Sequence, residues 1–236
     1  MPRPDAPSRK RVAVMQPYFL PYAGYFRLFA AVDEFVVLDC VQFPRRGRVH
    51  RTEVPDPKGD PSWLTLPLAR QPREVLIRDL RFAPDARASF DARLAALPWF
   101  GRAVAPGAES VHARLRGPLE GVVDFLQDTL LLAAGLMGFQ PAIRRSSTLC
   151  IDPALRGPAR VTAIAAAVGA THYLNSPGGR GLYDATEFAR HDLALEFLAP
   201  YRGAVTQLLP ALLQQSPDRL RADVLTQLTI EPAEVQ

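Results

Sequence analysis

Two short apolar runs, RVAVMQ (Arg11–Gln16) and EFVVLD (Glu34–Asp39), stand one helix-length apart, and this spacing constrains the fold more than any other feature. Runs of this length, rich in Val and lacking strict alternation, suit strands buried on both faces, as in parallel sheets. Between them Pro17 and Pro21 fix a loop. Tyr22–Val32 then offers Phe26, Leu28, Phe29 and Val32 for burial on a short helix, with Pro21 before its first turn. Strand, helix, strand is a βαβ unit, and such crossovers are nearly always right-handed. Alternation returns in the last third, where AIRRSSTL, ARVTAIAAAVG, HYLNS and LALEFLA read as strand, helix, strand and final strand. The expectation is an α/β fold: a mostly parallel Rossmann-like sheet flanked by helices.

The middle of the chain changes character. RVHRTEV (Arg48–Val54), a turn over Asp56–Pro61 and SWLTLPL (Ser62–Leu68) predict a small β-hairpin insertion over about residues 45–70. EVLIRDLRF (Glu74–Phe82) reads as a further strand. Helices are expected over Ala86–Leu97 and Gly117–Leu136, with an irregular connection between them. Residues 1–10 read as a flexible tail, residues 11–230 as a single α/β domain, and the stretch after Thr229 as loose.

Composition narrows the class of partner. A hydrophobic content of 48% with 22% charged residues fits a soluble globular chain. The formal charge of +4 comes almost wholly from arginine, since Lys10 and Lys58 are the only lysines. No basic run interleaved with aromatics occurs, so no nucleic acid is expected. Arginine forks do match phosphate or carboxylate, which leaves an anionic small molecule as the expected partner. Cys40 and Cys150 form neither a disulfide framework nor a zinc pattern, and no metal site is expected. Phe125–Met137 is too short to span a bilayer, and no signal-length apolar stretch follows the basic N-terminus, so a cytoplasmic protein is expected. The residues do not indicate a cofactor.

Three polar stretches fall at expected strand ends, where open α/β sheets bind ligands. In the first, MQPYFLPYAGYF, Gln16 emerges beside Tyr18, Gly24 permits close approach at a helix start, and Tyr22 and Tyr25 offer phenols or a stacking wall. In the second, DCVQFPRRGRVHR, Asp39 is a candidate general base or amine anchor, and Gln42 offers a donor and an acceptor. Arg45, Arg46 and Arg51 are candidate anion clamps, with Arg48 and His50 as weaker candidates. Cys40 reads as a partly buried structural cysteine. The third, NSPGGRGLYD, resembles a glycine-rich anion cradle with Ser176, Gly178 and Gly179, followed by Tyr183. A plain turn uses the same letters. Ser146 and Ser147 form a fourth possible edge, while His172 and His191 read as structural.

The run from Met15 to Arg51 resembles the opening of the WbqC-like protein family, and GATHYLNSPGGRGLYDATEF resembles its second block. The matching positions are Gln16, Pro17, Tyr18, Pro21, Gly24, Tyr25, Asp33, Asp39, Gln42, Phe43, Arg46, Arg51, Gly179 and Tyr183. Cys40 stands where the family commonly has a second Asp, His50 where Asn is usual, and Asn175-Ser176 where Ser-Gly is usual. The resemblance implies a bacterial surface-polysaccharide (O-antigen) or secondary-metabolite context. It points to a small-group (acyl or aminoacyl) transferase acting on an amino-sugar or related amine, with a nucleotide sugar or activated acyl donor as the anionic partner. Two alternatives stand beside it. The strand–Pro-Tyr-x-Gly-Tyr–helix pattern echoes nucleotidylyltransferases, with Tyr22 and Tyr25 where those enzymes carry histidines. A non-catalytic ligand-binding protein of the same pathway is the other.

Overall fold

The computed structural model describes residues 8–234. Six strands form one sheet in the order β5-β2-β1-β6-β7-β8. They are β1 (Arg11–Met15), β2 (Glu34–Val37), β5 (Ala142–Arg145), β6 (His172–Asn175), β7 (Ala194–Leu198) and β8 (Ile230–Pro232). All neighbours are parallel except β7 and β8, and a separate antiparallel ribbon joins β3 (Arg51–Pro55) to β4 (Pro61–Thr65). The expected mostly parallel α/β sheet with a hairpin is therefore the observed architecture.

The period of two decides which side chains meet. Val12 and Val14 of β1, Val36 of β2, Tyr173 of β6 and Leu195 and Phe197 of β7 pack on one face with Val161 and Ile164. Ala13, Phe35, Val37 and Leu174 point the other way, into a larger core with Phe26, Phe29, Phe125 and Leu130. A sheet buried on both faces explains why its strands read as continuous apolar runs. The first face is covered by α5 (Gly157–Ala167) and α6 (Ala185–Ala189). The helices α1 (Phe26–Ala31), α4 (Val122–Leu136), α7 (Leu208–Gln214) and α8 (Pro217–Leu225) supply the second.

Several expectations need correction. Glu74–Phe82 is not a strand. Its backbone runs antiparallel to the loop after β2 (Gln42↔Leu76), turns through a 3₁₀ segment at Ile77–Asp79, then lies against residues 67–69. Ile77 N–H donates to Val41 O, and Arg78 N–H to Asp39 O, both at 2.9 Å. The segment thus serves loops at both ends instead of a ladder. The connection expected to be irregular contains α3 (Glu109–Arg116), which buries Val111 and Leu115, while α2 spans Ala86–Ala95. LALEFLA is not the final strand, because Ile230–Pro232 pairs with β7 as an edge strand. Of the expected N-terminal tail, residues 1–7 lie outside the described residues. Arg9 and Lys10 are tied down, Arg9 to Glu196 at 2.6 Å and Lys10 to Glu34 at 2.7 Å.

Two buried charges fasten the frame. Glu34, at the start of β2, also pairs with Arg144 of β5 at 2.6 Å. Burial pushes its carboxyl up, but Arg144 and Lys10 outweigh this and hold it below the ordinary value. Arg27 on α1 is only 1% exposed and donates to Ala199 O at 2.7 Å and Gln227 O at 2.9 Å. It bridges the end of β7 to the approach to β8. Arg27→Met is expected to leave both carbonyls unpaired and to cost about 2–4 kcal/mol. Urea titration checks this as a lower midpoint at unchanged slope; a midpoint equal to wild type rules it out.

Candidate functional site

β2 and β5 are in register, Val37 opposite Arg145, so their carboxyl ends deliver Asp39 and Ser146-Ser147 to one place. Asp39 is 1% exposed, and its carboxylate is enclosed by donors. Oδ1 accepts from Ser146 Oγ at 2.9 Å and from Ser147 N–H at 2.9 Å, and Oδ2 accepts from Ser147 Oγ at 2.6 Å. Asp39 N–H returns a bond to Ser146 Oγ at 3.1 Å. A buried carboxylate without such partners costs several kcal/mol, so the two serines are what allow this aspartate to be buried.

This cluster forms a wall of a cavity of about 480 Å³. Ser146, Ser147, Cys40 and Gln42 line it on the sheet side, and Arg156 and Arg160 line it from the start of α5. Arg160 is 7% exposed, and its guanidinium lies 3.1 Å from Cys40 Sγ while donating to Leu155 O at 2.8 Å and Pro153 O at 3.0 Å. Among the described residues neither Arg156 nor Arg160 forms an ion pair with a carboxylate. The cavity therefore holds a hydroxyl on a carboxylate, with two arginines in its lining that no described carboxylate neutralises. Cys40 is half-buried, with its Sγ 3.1 Å from Ser146 Oγ.

Beyond Gln42 the chain runs past a second concavity, lined by Gln42, Phe43, Arg45 and Arg46, to a third of about 500 Å³ that holds Phe43, Arg45 and His50. Gln42 Nε2 donates to Arg73 O at 2.9 Å, and Arg45 donates to Gln71 O at 2.6 Å and Pro72 O at 3.0 Å. Arg46 is exposed. Arg51, expected as an anion clamp, instead folds its own loop. It donates to Gly47 O at 3.1 Å and to Arg46 O, and lies 4.3 Å from the Trp63 ring centroid.

The other two stretches do not join this site. None of these three concavities is lined by Gln16, Tyr18, Tyr22, Ser176, Gly178, Gly179 or Tyr183. Gln16 gives its carbonyl to the Tyr25 hydroxyl at 2.7 Å, and Tyr25 is buried. Gly24 opens no helix end to a ligand: a Cβ there would stand 2.3 Å from Tyr22 Cε2 and 2.7 Å from Tyr201 Cγ. Tyr18 and Tyr22 are half-buried, and burial raises both phenols above their ordinary value despite nearby Arg48. NSPGGRG is a closed 3₁₀ turn and not an open cradle. Gly179 N–H donates to Ser176 O at 3.0 Å, and the Asn175 amide occupies the space beside Gly179. Gly178 sits exposed at the turn, and Tyr183 packs against Tyr173 and Phe188.

Sequence reading missed Arg160. The available signal was its place four residues before Ile164 and eight before Val168, on the buried face of α5, where an arginine needs a reason. Among the described residues no group of three or more His, Cys, Asp or Glu side chains converges to hold a metal ion, and no helix is long and apolar enough to cross a membrane.

The fold and cavity define an α/β protein whose ligand-sized hollow lies at the carboxyl edge of a parallel sheet. The chain belongs to the WbqC-like protein family, whose profile matches residues 16–219. It is 37% identical over 59 residues to the uncharacterized protein Rv1507c of Mycobacterium tuberculosis (strain ATCC 25618 / H37Rv). That match spans 25% of each protein, so this chain covers about a quarter of that relative. No solved structure matches.

Two outcomes follow from this packing. Gly24→Ala is expected to destabilise the fold by about 1–3 kcal/mol, because the added methyl overpacks Tyr22 and Tyr201. A wild-type urea midpoint for this variant contradicts the packing described. The second concerns His50, whose imidazole is lowered from 6.5 to about 4 by burial and then by Arg51. The unfolded chain takes up its proton near 6.5 and the folded chain only near 4, so this residue makes stability fall on acidification between those values and has no effect above them. His50→Gln should therefore lose less stability than wild type between about pH 7 and about pH 4.5 in urea titrations; equal losses refute it.

Proposed function

We propose that the chain is a transferase that moves an acyl or aminoacyl group from an activated donor onto the amine of an amino-sugar or related acceptor. The pathway we infer is bacterial surface-polysaccharide (O-antigen) or secondary-metabolite biosynthesis. One observation carries this reading: Ser147 Oγ is bonded at 2.6 Å to the buried Asp39 carboxylate, and Ser147 lines one cavity with Arg156 and Arg160. Acyl transfer to an amine forms a C–N bond, releases the leaving group with the electron pair of the broken bond, and removes one proton from the nitrogen. Ser147 Oγ receives that proton as its own passes to Asp39 Oδ2, so Asp39 acts through Ser147. The arginines meet the negative charge of the donor and its leaving group. Gln42 is held through its amide nitrogen by Arg73 O, so its amide oxygen is the group available to orient an acceptor amine.

Nucleotidyl transfer is less favoured. Tyr25 is committed to Gln16 O, and Tyr22 stacks edge-on with Tyr201, 5.7 Å between centroids. Neither supplies the cationic charge that phosphoryl transfer draws on.

Ser147→Ala keeps two of the three donors to Asp39 and should leave the fold intact. With a panel of acyl and aminoacyl thioesters and amino-sugars, followed by mass spectrometry, the wild type should give amide product. The variant should lose about 100-fold in kcat or more, with donor affinity unchanged within about threefold. No product with any pair, or full turnover by Ser147→Ala, sinks the reading.

A further inference from the structure

The hollow of about 500 Å³ at the far end of the residue 42–45 segment takes no part in that chemistry. It lies between the end of β4, the segment from Leu66 to Gln71, and α2. Arg45, Arg70 and Arg93 line it against one carboxylate, Asp85, so three positive charges face one negative. Among the described residues none of these arginines forms an ion pair. Two of them are preset on backbone carbonyls. Arg45 uses one terminal nitrogen for Gln71 O and Pro72 O, and Arg93 uses one for Thr65 O. Each guanidinium carries five N–H donors in a rigid fork, so donors remain on both.

His50 adds an uncharged donor. Its Nδ1 is buried with no hydrogen-bond partner, and the ring stands edge-on to Phe43 with 5.0 Å between centroids. An unpaired buried N–H is costlier than an unpaired lone pair, so the proton belongs on Nε2. Burial and the neighbouring Arg51 keep the ring neutral at physiological pH. A hollow with three guanidiniums, a neutral N–H and apolar walls at Phe43, Leu66 and Leu80 is more than a single carboxylate requires, since one arginine fork satisfies that. Its volume also exceeds what an inorganic ion fills and falls in the range of small-molecule sites.

We propose that this hollow is a phosphate subsite built for the diphosphate of a nucleotide-linked substrate. Gln42 lines the Ser147 cavity and the middle concavity, and Phe43 and Arg45 line the middle concavity and this one, so one chain segment connects the two ends. A nucleotide-linked amino-sugar held by its phosphates at Arg45 and Arg93 extends along Gln42 toward Ser147. That extension rests on the transferase reading; the phosphate subsite does not.

Isothermal titration of the full chain with inorganic pyrophosphate, UDP and uridine tests it. Pyrophosphate and UDP should bind, with uridine at least about tenfold weaker. Arg70→Ala and Arg93→Ala should each weaken both anions about tenfold or more, as expected for charge-assisted bonds. Ser147→Ala should bind them like wild type. Arg70 is exposed, so its variant is expected to fold, and unchanged circular dichroism secures the comparison. No pyrophosphate binding, or wild-type affinity in both arginine variants, overturns the subsite. Anion binding lost in the arginine variants without any turnover by the wild type keeps the subsite and removes the transferase. Turnover with arginine variants that bind normally does the reverse.

Discussion

The Asp39 carboxylate and its three serine-derived donors form the junction on which the rest of the site depends. They tie the loop after β2 to the turn after β5, residues more than a hundred positions apart in the chain. Burying a carboxylate costs far more than a single hydrogen bond returns, so the arrangement relies on several donors being in place at once. Once they are, the backbone beyond Asp39 has a fixed departure point. Arg78 N–H then holds Asp39 O, Ile77 N–H holds Val41 O, and Phe43 N–H holds Val75 O. Three backbone hydrogen bonds thus lay this loop against residues 75–78.

That loop explains how a chain with few classical catalytic letters can still build a site. Residues 40–50 pass three concavities in succession, and two of their polar side chains, Gln42 and Arg45, rest on backbone carbonyls of residues 71–73. Gln42 leans on Arg73 O, Arg45 on Gln71 O and Pro72 O, and Arg51 stacks on Trp63, itself 42% exposed on β4. The segment expected to be a strand over Glu74–Phe82 is the splint for this loop. Its departure from ladder geometry is part of how the site is assembled.

The sheet was legible in the sequence because burial on both faces writes itself as continuous apolar runs. The hairpin was legible because its turn residues are concentrated between Asp56 and Pro61. What escaped reading has a physical reason in each case. β8 is three residues long and carries Glu231 and Pro232, too short for periodicity and typical of a protected edge. Glu74–Phe82 has strand composition, and only long-range partners decide where its N–H groups go. Asp39 was visible as a polar residue at a strand end, but its confinement behind Ser146 and Ser147 depends on the β2–β5 register. Arg160 came from a helix whose arginines usually face solvent, and only packing shows that this one does not.

The strand order also bears on the aromatic elbow, which lines none of the three concavities. Strands β2 and β5 lie to one side of β1, and β6 and β7 to the other, so the chain reverses its winding between β1 and β6. Open sheets bind ligands in the crevice at such a reversal, and Gln16 and Asn175 emerge there. In this protein the crevice is filled from within. The Tyr25 hydroxyl takes Gln16 O, Tyr201 closes over Gly24, and Asn175 and Tyr183 crowd Gly179. With that position occupied, the accessible hollow moves two strands outward, to the ends of β2 and β5. The rings of MQPYFLPYAGYF pack into the core beside this reversal, and the cavity lined by polar groups opens at the loop that leaves the neighbouring strand.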